Sequence, residues 1–230
     1  MIALLFLVVF LYAFSSAKNK VRKVSDPVIN FKGDDNLFIT HENVSKLLIL
    51  NGEGLVNKPK ESLDLNVLET ALNSNQTIKS AQVYLSVNGL LTVDIEQKKP
   101  IARVRTDASF YIDDEGSYMP LSSNYTARVP LVTGNIDKND LSNVFVVAKK
   151  VNEDEFLKKH VIEIQQTKDQ QYFLKLRQSR FTVQLGGLKN LDKKIMNLKA
   201  FYKKALKEKS LDNYKNVNLQ FDSQVVCTKI

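Results

Sequence analysis

The sequence predicts an α+β protein with an N-terminal transmembrane helix, a small domain in the order β-α-α-β-β, and a C-terminal mixed β domain with covering helices. Three observations carry this prediction. The opening segment is uncharged, the apolar period changes from helical to alternating near Ile78, and a long series of alternating segments contains one strongly amphipathic helix. The expected boundaries are 1–17 for the anchor, 18–27 for a basic linker, 28–104 for the small domain and 105–230 for the larger one.

Met1 to Phe14 carries no charge, and Lys18, Lys20, Arg22 and Lys23 follow the small residues Ser15, Ser16 and Ala17. Such a segment is a membrane anchor or a secretory signal. As an anchor it is short, since about 17 to 25 apolar residues are needed to cross roughly 30 Å of hydrocarbon. The basic residues sit on its C-terminal flank, whereas an N-in orientation normally has them upstream. A longer native N-terminus carrying Lys or Arg is therefore expected. The rival, a cleaved signal, lacks the usual positive n-region.

Thirty-three basic residues against twenty-five acidic ones give a net charge of +8, all of it after the anchor. Nucleic acid is a poor match for an extracytoplasmic chain whose basic residues are not interleaved with aromatics. Anionic headgroups, an acidic partner or plain solubility remain as reasons for the charge. The single cysteine, Cys227, excludes an intramolecular disulfide framework and a Cys-rich zinc site. Eight glycines and five prolines leave no low-complexity linker.

In the small domain, Val28, Ile29 and Phe31 form a strand that stops at the turn formers Gly33 to Asn36. Thr40 can cap a helix with Asn43 three residues on, and Val44, Leu47, Leu48 and Leu50 are expected on its inner face. A second helix starts near Asp64 and buries Leu65, Leu68 and Leu72. From Ile78 alternation takes over: Ala81, Val83 and Leu85, then Asn88-Gly89 as a type I′ hairpin turn, then Leu91, Val93 and Ile95.

This order, running into Glu96-Gln97-Lys98-Lys99-Pro100-Ile101-Ala102-Arg103-Val104, resembles the POTRA domain of the FtsQ/DivIB cell-division proteins, where a similar Pro-Ile-Ala segment follows the last strand. The resemblance continues downstream. Phe110, Tyr111 and Ile112 lead to Asp113-Asp114-Glu115-Gly116, and Tyr118, Met119 and Leu121 follow, like the aromatic hairpin that opens that family's C-terminal β domain. The clustered carboxylates invite a metal reading, but Asp capping its own backbone before a Gly is ordinary turn chemistry. Val129 to Gly134 is similar to the family's next extended segment.

A helix over Leu141 to Leu157, broken near Asn152, precedes three strands marked by Val161 and Ile164, by Tyr172, Leu174 and Leu176, and by Phe181, Val183 and Leu185. Gly186-Gly187 then turns into the clearest helix of the chain. Its stripe is Leu191, Ile195, Leu198, Tyr202 and Leu206, with Lys193, Lys194, Lys199, Lys203, Lys204 and Lys207 largely outside it. The glycine pair is no phosphate loop, because the Lys-Ser/Thr pair is missing. Val217, Leu219 and Phe221 form a strand, Asp222 to Gln224 a turn, and Val225 to Cys227 a last strand. Asn218 and Gln220 stand where the family frequently has Asp and Arg.

Catalytic, cofactor-binding and metal-binding constellations are not expected: His41 and His160 are far apart in sequence, and no nucleophile motif occurs. The resemblance implies a non-catalytic, single-pass scaffold of the bacterial division septum. It would lie in the inner (plasma) membrane with the N-terminus cytoplasmic, residues 1–17 in the bilayer and the bulk of the chain periplasmic or extracellular. Its partners would be FtsB/DivIC-like and FtsL-like membrane division proteins, with no nucleic acid and no small-molecule substrate. Strand addition at Phe221, Ser223, Val225, Val226 and Cys227 is the expected mode, because main-chain pairing needs few special side chains. A POTRA-bearing transport or assembly subunit, and a secreted hydrolase with a composite site, are the alternatives.

Overall fold

A computed structural model of the chain describes residues 2–20, 23–33, 37–52, 59–106, 108–221 and 224–230. Two compact units emerge. The first comprises residues 1–98 with 122–125, the second residues 99–121 with 126–230.

Helix α1 (Ile2–Lys20) exposes Leu4, Phe6, Leu7, Phe10 and Phe14. Residues 1–17 were expected to span a bilayer, yet among the described residues no helix is long and apolar enough to cross a membrane. The uncharged run of α1, Ile2 to Ala17, rises about 24 Å at 1.5 Å per residue and ends in the small residues Ser15 to Ala17, against roughly 30 Å of hydrocarbon.

The first unit continues with β1 (Val28–Lys32), α2 (His41–Gly52), α3 (Leu65–Asn73), β2 (Ile78–Leu85) and β3 (Leu91–Gln97). The strands form one sheet in the order β1-β3-β2, with β1 parallel and β2 antiparallel to β3. Thr40 and Asn43 make the reciprocal cap of α2: the Asn43 N–H donates to Thr40 Oγ1 at 3.2 Å, and the Thr40 N–H donates to Asn43 Oδ1 at 3.3 Å. Asp64 caps α3 by accepting from the N–H groups of Asn66 and Val67. Val44, Leu48, Leu68 and Leu72 meet Val83, Val93 and Ile95 in the core. Leu50, expected inside, is 79% exposed: it is six residues beyond Val44, which turns it away from the sheet.

The hairpin between β2 and β3 differs from the expected two-residue turn. The Gly89 N–H donates to Ser86 O at 3.1 Å and only Gly89 has positive φ, at 90°. Asn88 keeps negative φ, as in a longer loop whose turn is followed by a left-handed glycine. A Cβ on Gly89 would stand 2.5 Å from the carbonyl oxygen of Lys23.

The second unit holds β4 (Pro100–Arg105), β5 (Ser109–Asp113), β6 (Tyr118–Met119), β7 (Leu131–Gly134), α4 (Ser142–Glu153), α5 (Glu155–His160), β8 (Val161–Gln166), β9 (Tyr172–Leu176), β10 (Thr182–Gly186), α6 (Leu191–Lys207), β11 (Tyr214–Asn218) and β12 (Val226–Lys229). Its sheet has the order β12-β11-β10-β9-β8-β7-β4-β5-β6. Residues 100–104, assigned above to the small domain, belong here, because β4 pairs with β5 and β7. The parallel pairs β7–β8 and β10–β11 are joined by α4–α5 and by α6, the helical crossovers that parallel neighbours need.

The core of this unit joins Val144, Val147 and Val151 of α4, Leu157 of α5, and Ile195, Leu198 and Tyr202 of α6 to Ile164, Leu174, Val183 and Val217 of the strands. At the end of the α6 stripe the buried residue is Ala205, while Leu206 is exposed, so the buried stripe follows 198, 202, 205. The break between α4 and α5 falls at Asp154, whose carboxylate accepts from the N–H groups of Phe156 and Leu157, both at 3.1 Å.

Candidate functional site: the open edge of the large sheet

Among the described residues, sheet order leaves β12 with a partner on one side only, β11. Backbone donors alternate sides along a strand, so two hydrogen bonds fix which groups face outward. Leu219 N–H donates to Gln184 O of β10, which turns the N–H groups of Asn216 and Asn218 toward β12. Ile230 N–H donates to Asn213 O, which turns those of Val226 and Thr228 toward β11. Asn218 lies opposite Val226 and Asn216 opposite Thr228, in agreement with both. The N–H groups of Cys227 and Lys229 are therefore directed to the open side.

The five residues singled out in the sequence are distributed unequally around this edge. Val225 and Cys227 are partly buried and pack against the core, while Val226 is 40% exposed and points away from it. Burial pushes the Cys227 thiol up, and its side chain packs against the core. Phe221 is 47% exposed and lies beyond β11, which ends at Asn218 and not at residue 221. Ser223 lies outside the described residues.

Beside this edge the fold assembles a feature the sequence did not signal. Asn216 Nδ2 donates to Gln184 Oε1, Gln184 Nε2 to Gln220 Oε1, and Gln220 Nε2 to Gln171 Oε1, at 3.3, 3.0 and 3.2 Å. Four amides from three segments thus form a continuous ladder across the sheet surface. Asn218 Oδ1 accepts from the Gln220 N–H at 2.9 Å and fixes the exit of β11. The only prior sign was the presence of uncharged amides at Asn218 and Gln220, where the family frequently carries charges.

The β2 edge of the small sheet is treated differently. Asn73 of α3 accepts from Ala81 N–H at 2.7 Å and donates to Ala81 O at 3.2 Å, and Glu69 accepts from Val83 N–H at 3.0 Å. Side chains thus occupy the edge groups of β2 that a further strand would use. Native sheets commonly blunt their edges in this manner.

Other candidates resolve into structure. Asp113 Oδ1 accepts from the N–H groups of Glu115 and Ser117, and Gly116 has φ of 86°, so the carboxylate cluster includes a hairpin cap. His41 begins α2 beside Phe31, and His160 ends α5, stacked on Phe156 and bonded to its carbonyl. Lys194 Nζ donates to Gly187 O in the glycine turn before α6. Among the described residues no group of three His, Cys, Asp or Glu could hold a metal ion.

A family model described as FtsQ/DivIB, C-terminal related, matches residues 99–228, and one described as a POTRA-like domain matches residues 28–96. No curated protein sequence matches the chain.

Proposed function

The chain belongs to the FtsQ/DivIB, C-terminal related family, and from that premise we propose that it is a non-catalytic scaffold of the bacterial division septum that recruits partners by strand addition along β12. The family points to a division-related scaffold, and the POTRA-like unit agrees with that reading. The observation that carries the mode of binding is the outward direction of the Cys227 and Lys229 N–H groups on a strand with one neighbour. A partner strand laid there gains main-chain hydrogen bonds, while exposed Val226 and Phe221 offer apolar contacts beside it. In this reading the partners are membrane proteins of the FtsB/DivIC and FtsL type, and α1, with its exposed apolar surface, seats the chain at the plasma membrane. The two units then lie on the outer side of that membrane.

The test is co-purification of membrane division proteins with the whole chain and with Cys227→Pro, which removes one outward donor. Loss of the partners from a folded variant supports the reading. Retention at the wild-type level sinks it.

A further inference from the structure

We propose that the lysine-rich face of α6, with the C-terminal end of α5, docks on a bilayer surface that carries anionic headgroups. By sequence, the first unit holds ten basic and ten acidic residues and the second twenty-three and fifteen, so the whole excess of eight lies in the second unit. Within that unit it is concentrated: from Lys189 to Lys209 there are eight lysines against Asp192 and Glu208, and α5 adds Lys158 and Lys159 against Glu155.

The two helices are neighbours. The rings of Phe156 and His160 both lie 5.1 Å from that of Tyr202, and Lys199 pairs with Asp154. Lys199 and Lys194 are thereby held within the fold, the latter on Gly187 O. Lys158, Lys159, Lys193, Lys203 and Lys207 are exposed, and none forms an ion pair among the described residues. The helical period places Met196, Ala200, Lys203 and Lys207 along the centre of the outward face, opposite Ile195, Leu198 and Tyr202. Met196 is 69% exposed there. An apolar tip among ammonium groups fits the headgroup boundary, where charge meets phosphate and a short apolar group meets acyl chain.

Two observations favour a lipid surface over an acidic protein or a small anion. Apart from His160, whose ring is stacked on Phe156, every basic residue on α5 and α6 is lysine and none is arginine, so the face offers compact, hydrated charges and not the planar forks that pair specific carboxylates. In the groove beside the start of α6, lined by Phe145, Lys149, Lys150, Leu188 and Lys193, two of the three ammonium groups are answered: Lys150 pairs with Asp192 and Lys149 with Glu153, while Lys193 belongs to the outward lysine face.

The test is flotation of the whole chain with vesicles of phosphatidylcholine alone and with a phosphatidylglycerol admixture. The neutral vesicles report attachment through α1, so the difference between the two isolates the charged face. Binding is expected to be about tenfold or more tighter on the anionic vesicles. That gain should vanish in 0.5 M NaCl and in the combined variant Lys158→Glu, Lys203→Glu, Lys207→Glu. The same positions changed to Gln, a milder set that keeps α6 folded by circular dichroism, should lose most of it. Equal binding to both vesicles, or a gain that survives both variants, overturns the proposal. So does lysine-dependent binding of poly-glutamate without any gain on anionic vesicles, which assigns the face to an acidic protein. Partner retention at β12 should be unchanged by these variants, which separates this surface from the edge.

Discussion

Gln97, a buried residue at the end of β3, is bonded by its side-chain amide to the backbone of Ile39 in both directions: Oε1 accepts from Ile39 N–H at 3.3 Å and Nε2 donates to Ile39 O at 3.1 Å. The same Oε1 accepts from Phe38 N–H at 3.0 Å. One side chain thereby pins the loop that leads into α2.

Replacing Gln97 by Leu keeps the volume but removes those partners from a site where Ile39 is 5% exposed. Leaving buried backbone groups without partners costs about 1–3 kcal/mol each, so the first unit should lose roughly 2–4 kcal/mol. Denaturant unfolding of the whole chain, followed by hydrogen exchange of the first-unit amides, checks this. Unchanged protection there would contradict it.

Gly89→Val should destabilise the same unit by more than about 1 kcal/mol, the scale of forcing a β-branched residue to positive φ. Gly89→Ala should be nearly as harmful, because the added Cβ meets the Lys23 carbonyl at 2.5 Å and the Ser25 N–H donates to Gly89 O. Thermal unfolding of both variants distinguishes this dual constraint from a turn preference alone, in which Ala would be well tolerated.

Asp154 supplies a pH signature. Burial would raise its carboxyl, but the Lys199 ammonium and the N–H donors of Leu157 and Phe156 outweigh that and hold it below the ordinary carboxylate range. A folded-state value below the unfolded one contributes stability above the unfolded pKa, and this is lost as pH falls through the folded pKa. Asp154→Asn, which preserves the cap, should cost roughly 1 kcal/mol near neutrality. The gap from wild type should shrink below about pH 4. Unfolding midpoints of the two proteins across that range provide the measurement.

Opening the sealed edge of β2 should create self-association. In the combined variant Glu69→Leu, Asn73→Leu, the edge groups of Ala81 and Val83 become available to a second copy. Analytical ultracentrifugation should show concentration-dependent association above that of the wild type. Equal sedimentation would mean that the two side chains serve stability only.

At the open edge, Cys227→Pro and Val226→Pro should differ. The first removes an outward donor, while the second removes a donor aimed at β11 and should loosen the terminal strand itself. Both should lose the partner, but only Val226→Pro should also lose protection of the β11 amides in hydrogen exchange.

The helices and strands were legible in the sequence wherever their apolar period was strong, as in Ala81, Val83 and Leu85 or in Ile195, Leu198 and Tyr202. Strand order was not, because alternation says which face is covered and nothing about neighbours. Pro100 to Arg105 follows β3 so closely that local pattern assigned it to the small domain, and only its long-range pairing with Leu131 to Val132 and with Ser109 to Asp113 places it elsewhere. The end of β11 was overrun for a similar reason: Phe221 continues the alternation of Val217 and Leu219 but has no strand opposite it. The amide ladder was hidden because Gln171, Gln184, Asn216 and Gln220 read individually as solvated residues and acquire meaning only when three segments align.

From β4 outward, the order β4-β7-β8-β9-β10-β11-β12 follows the chain without reversal. From β8 onward each new strand is laid on the one completed before it, so this part of the sheet can assemble in chain order, through contacts that are local in the chain. The edge at any moment is the newest strand. Without β12 the margin on that side is β11, with the donors of Asn216 and Asn218 awaiting a strand of their own. The presence of β12 therefore decides what the margin recognises.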